Sequence, residues 1–92
     1  MSRMKDRAIL LEEMLIEAEA LIKSYSTRLD HHLTEARNLR DPAARERSIE
    51  KADDNMKTCI RMANRAYRYA LKYSLSTERY PNILAYSTVM VL

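Results

Sequence analysis

Apolar residues recurring at alternating steps of four and three constrain this chain more than any other feature. Met4, Ala8, Leu11, Leu15, Ala18, Ile22, Tyr25, Leu29, His32, Ala36 and Leu39 keep that spacing, with only His32 interrupting the apolar character. Side chains three and four apart share one face of a helix, so the spacing predicts a first helix over about 2–39, capped by Ser2, with one continuous seam. Ile49, Ala52, Met56, Cys59, Ala63, Ala66, Ala70 and Tyr73 repeat the steps and predict a second helix over about 42–74. Each predicted helix covers about 35 residues, roughly 50 Å at 1.5 Å per residue.

The break falls in Asn38-Leu39-Arg40-Asp41-Pro42. Proline disfavours helix in the residue before it and suits the first helical position, and Asp41 is placed to cap. So short a connection folds the helices back antiparallel. With the turn near residue 41, facing positions sum to about 82, which sets Leu15 against Ala66, Leu11 against Ala70, and Ile22 against Cys59. Large side chains on one helix oppose small ones on the other. The same register is expected to bring Glu13 and Glu17 near Arg65 and Arg68.

The predicted class is therefore all-α: a long helical hairpin over residues 1–75, completed into a bundle by oligomerisation or a partner, with a linker and apolar C-terminal segment over 76–92. The reason for expecting a partner is surplus apolar surface. Ile9, Leu10, Met14, Ile16 and Leu21 lie off the seam on both flanks of the first helix, and a two-helix hairpin cannot cover them. At about 25 cal/mol per Å2 they represent several kcal/mol of burial, and they are the expected self-association residues.

The tail is apolar on both alternating faces. Ile83, Leu84, Tyr86, Val89 and Val91 are its expected docking residues, and the β-branched and aromatic content tips the reading slightly toward an extended strand over a short helix begun by Pro81.

Charge is concentrated in one place. The net charge is only +3, yet Lys57, Arg61, Arg65, Arg68 and Lys72 recur at four, four, three and four with no acidic residue from Met56 to Lys72. Tyr67, Tyr69 and Tyr73 lie among them. A basic stripe with aromatic neighbours reads as a solvated helix face or a surface for an acidic protein; phosphate contact and base stacking on a nucleic acid is the less favoured reading.

What is missing excludes several chemistries. The chain has no glycine, so it has no Walker phosphate loop, no dinucleotide fingerprint and no nucleophile elbow. The single cysteine, Cys59, sits in the small-residue seam and reads as a buried thiol, with no disulfide possible within one chain. No apolar run approaches the roughly 20 residues of a membrane span. Without a signal peptide, the expected setting is the cytoplasm or an intracellularly assembled particle.

The adjacent His31 and His32 point about 100° apart on a helix and do not chelate together. His31 with Glu35 is a candidate metal pair that Glu50, Asp53 or Asp54 could supplement across the hairpin, but a structural or solvated role fits better; neither metal nor cofactor is expected. The order Asp30-His31-His32-Leu33-Thr34-Glu35 also departs from the pattern of a phospho-accepting histidine. These readings converge on a non-enzymatic protein–protein interaction module, either an assembly subunit or a small adaptor, chaperone or inhibitor. The competing class is a nucleic-acid-binding regulator using the basic stripe.

Overall fold

The structure, a computed structural model, describes residues 3–88, with side chains from Ile9 onward. Three helices account for it: α1 (Arg3–Asn38), α2 (Pro42–Lys72) and α3 (Pro81–Ser87). The first two form an antiparallel hairpin, and the molecule is about 60 Å in its longest dimension. Helix-forming residues fill both, and Pro42 occupies the first turn of α2, where its missing N–H costs nothing. Asp41 stands at the N-cap position, but its side chain makes no capping hydrogen bond. The turn is closed from the other direction: Arg45 donates through Nε and Nη2 to the carbonyl of Leu39 at 3.2 and 2.8 Å, satisfying the C-terminal end of α1 with a cation.

The core follows the seams. Leu15, Ile22, Leu29 and Ala36 of α1 are buried against Ala52, Cys59, Ala63, Ala66 and Ala70 of α2. Cys59 Sγ donates to the carbonyl of Ile22 at 3.7 Å, Tyr69 Oη to Met14 Sδ at 3.0 Å, and Ser48 Oγ to Glu35 Oε1 at 2.8 Å. The residue numbers of those pairs sum to 81, 83 and 83, which fixes the register along the whole hairpin.

One seam position departs from the expected line. Ile49 is 47% exposed, whereas Ser48 is buried. Near the turn Ala44, Ser48 and Ala52 follow a straight step of four, and the Ser48 hydroxyl is satisfied by Glu35, so a small polar residue takes the place expected of isoleucine.

At the other end, α2 closes in a Schellman motif. Leu75 N–H donates to Ala70 O at 2.8 Å and Ser74 N–H to Leu71 O at 3.3 Å, with Ser74 in the left-handed region at φ 54°. Glycine ordinarily occupies that position, and this chain has none.

The slight preference for a strand in the tail is corrected here: Pro81–Ser87 is helical, and Ile83 is fully buried in the hairpin's own core, with Tyr80 almost so. Residues Val89 and Val91 of the expected docking set lie outside the described residues. The helix wins because its exposed N-terminal amides have a partner that no local pattern reveals. Glu19 of α1 accepts from Asn82 N–H at 3.0 Å, Asn82 Nδ2 at 2.7 Å and Ile83 N–H at 2.9 Å. A carboxylate is well suited to that end of a helix.

Candidate interaction interface

Two long helices packed side by side leave a groove on each side of their contact, and here the two are finished differently. The first holds α3. Glu12, Glu19 and Ser26, seven residues apart on α1, supply its polar contacts: Tyr80 Oη donates to Glu12 Oε2 at 2.8 Å, Glu19 takes the helix N-terminus, and Ser26 Oγ shares a hydrogen bond with Tyr86 Oη at 2.7 Å. Burial, and then the Glu12 carboxylate, push the Tyr80 phenol above its ordinary range.

The second groove is open. Its floor is Leu15 and Ala18 of α1 with Ala66 of α2, its walls are Met14, Met62 and Tyr69, and Arg65 stands at its edge, enclosing about 180 Å3. Met14 is 52% exposed. Leu10 and Leu21 lie four residues before and seven after it on the same flank, and they are 60% and 50% exposed. The five expected self-association residues are thus divided by the fold. Leu10, Met14 and Leu21 border the open groove, whereas the equally exposed Ile9 and Ile16 lie one turn from Glu12 and Glu19 on the side of α3.

The basic stripe also divides. Lys57 pairs with Asp53 at 3.0 Å within α2, and that hydrogen bond raises its pKa. The Lys72 ammonium lies 5.4 Å from the centre of the Tyr73 ring, which packs edge-on against Tyr69. Arg61, Arg65 and Arg68 line a broad depression of about 580 Å3 together with Ile60, Met62 and Asn64. The expected approach of Glu13 and Glu17 to Arg65 and Arg68 does not produce ion pairs: among the described residues the lysine or arginine ion pair is Lys57–Asp53. The hairpin core separates the two helices' outer faces, so matching levels do not bring these side chains into contact.

Of the tail residues, Ile83 is spent inside the chain, and Leu84 and Tyr86 are half-buried. His31 Nε2 lies 3.4 Å from Glu35 Oε2, while the buried Nδ1 of His32 has no hydrogen-bond partner among the described residues. Among the described residues no cluster of three or more His, Cys, Asp or Glu could hold a metal, and no helix is long and apolar enough to cross a membrane. Cys59 is fully buried, and burial pushes its thiol up, away from nucleophilic reactivity.

Sequence reasoning missed Glu12, Glu19 and Ser26 as a set. Their heptad spacing was a readable signal, but it acquires meaning only once the tail is known to fold back. No protein-family model, curated protein or solved structure matches the chain.

Proposed function

We propose that the protein is a non-enzymatic assembly module, in which two copies close a helical bundle by packing their open grooves together. The observation that supports this reading is the contrast between the grooves: one is covered by the chain's own α3, and the other keeps Leu10, Met14 and Leu21 half-exposed beside an apolar floor. Three large apolar side chains on one flank of a 92-residue chain form a patch of the kind that marks an interaction site. Light scattering on the full chain tests it. The expected result is a dimer that Met14→Lys and Leu21→Lys each convert to a folded monomer; a wild-type chain that remains monomeric at all concentrations overturns it.

A nucleic-acid-binding role is the second reading, and it draws on Arg61, Arg65 and Arg68 lining an open depression without an acidic partner among the described residues. Changing all three to glutamine would then reduce the salt dependence of binding by roughly three phosphate contacts. An assembly module still reaches its full mass at high concentration through the same change, losing only the small contribution of a rim pair.

A further inference from the structure

The self-association proposed above leaves open how the second copy is oriented, and the charges beside the open groove decide it. Glu17 lies one turn from both Met14 and Leu21, and Arg28 lies seven residues beyond Leu21, so α1 carries an acid and a base eleven residues apart on the open-groove flank. Eleven residues are close to three full turns, which keeps the two charges nearly in line. On α2, Arg65 edges the groove and Asp54 precedes it, again by eleven residues. All four are exposed, none has an ion pair among the described residues, and Arg28 rests 5.2 Å from the Tyr25 ring centre.

We infer that the second copy docks about a two-fold axis parallel to the helices, so that each α1 lies antiparallel on the other copy's α2. Within one chain, facing positions sum to 81–83. An axis parallel to the helices preserves height along the hairpin, so the same sums apply between copies. Glu17 of one copy then faces Arg65 of the second, and Arg28 faces Asp54, each twice in the dimer. Met14 and Leu21 meet the Tyr69 and Met62 levels of the other copy in the same register.

The alternative axis, perpendicular to the helices, lays α1 on α1 and α2 on α2. Stacking the apolar stretch from Leu10 to Leu21 on itself then sets Arg65 against Arg68 and Arg61 against Lys72, base against base. Sliding the copies until Glu17 meets Arg28 brings Met14 opposite His31 and loses the apolar match. Only the parallel axis satisfies apolar and charged positions together. Exposed rim pairs add little affinity one by one, but like charges set opposite each other select against the wrong orientation.

Mixing single charge reversals tests this. Glu17→Arg and Arg65→Glu each place two like-charge contacts in a symmetric pair, and each should weaken self-association roughly tenfold while circular dichroism shows an intact helical fold. Combined in equal amounts, the two variants should recover wild-type affinity as a mixed dimer, since both cross-copy contacts become complementary. Arg28→Glu mixed with Asp54→Arg should behave in the same way. Because residues 17 and 65 also share a level within one chain, recovery on mixing separates a contact between copies from one within a copy. Reversals without effect, or weakened variants that mixing does not rescue, overturn this orientation and leave the self-association standing. A wild-type chain that never dimerises overturns both.

Discussion

The two grooves of the hairpin are flanked by the same pair of helices, yet one is closed by seven residues of the chain itself and the other is left open. The closed side is built from polar groups at heptad spacing, Glu12, Glu19 and Ser26, each of which meets a hydrogen-bonding group of the 80–87 segment. The open side carries the half-exposed Leu10, Met14 and Leu21. What covers a groove is therefore set less by its apolar floor, which both sides share, than by whether its rim can satisfy the backbone of the element that arrives. A helix of only seven residues is unstable alone, and here its amides are completed by a side chain from elsewhere in the chain.

The contrast can be broken most forcefully at Ile83. Truncation to alanine in a fully buried site should destabilise the fold by about 2–4 kcal/mol in urea denaturation, whereas Leu21→Ala on the open flank, measured at a dilution where copies are apart, should change it by no more than about 0.5 kcal/mol. Equal effects at that dilution would mean that the open groove is covered within a single chain.

Next in size is Glu19→Gln, which weakens charge-assisted acceptance of three N–H donors. A loss of about 1–2 kcal/mol is expected, read as faster amide exchange in α3 with α1 and α2 still protected. Ser74→Gly should act in the opposite direction, raising stability by about 0.5–1 kcal/mol by relieving the left-handed residue that ends α2.

The smallest effects are those of pH, and they separate the two ends of the hairpin. The Ser48 hydroxyl holds the Glu35 carboxyl below its ordinary 4.5, so that group's contribution is present above pH 4.5 and is lost as pH falls through the lowered value. Acid should loosen the turn end, and Ser48→Ala should flatten that response. Tyr80, held above its ordinary 10.0 chiefly by burial, contributes fully below pH 10.0 and loses its contribution as pH rises through the raised value. Alkali should therefore release α3 first, as seen by amide exchange.

The hairpin was legible in the sequence because its determinants are local and periodic. The four–three steps located both helices, Asp41-Pro42 located the turn, and facing sums near 82 matched the Ile22–Cys59 and Met14–Tyr69 contacts. The exchange of Ile49 for Ser48 was hidden because an apolar template favours isoleucine and disregards a serine whose hydroxyl has a partner across the hairpin. The tail misled for a related reason. Its β-branched and aromatic residues carry a context-dependent strand bias, which three hydrogen bonds donated to Glu19 and the burial of Ile83 outweigh. Of the candidate interface, the surplus apolar residues were readable, but which of them share a flank with an open groove depended on where α3 settles.

The hydrogen bonds that fix α3 to α1 join residues 60 to 68 positions apart, whereas the one nearest the turn, Ser48 to Glu35, spans 13, and the packing of α3 on α2 is nearer in sequence. Closing the longer loop costs more chain entropy, and its receiving surface exists only after α1 and α2 have met. On chain entropy α3 is expected to dock after the hairpin has closed. If copies pair through the open groove as proposed, a chain whose α3 has not docked offers a second open groove, and docking of α3 is what limits growth to a closed pair.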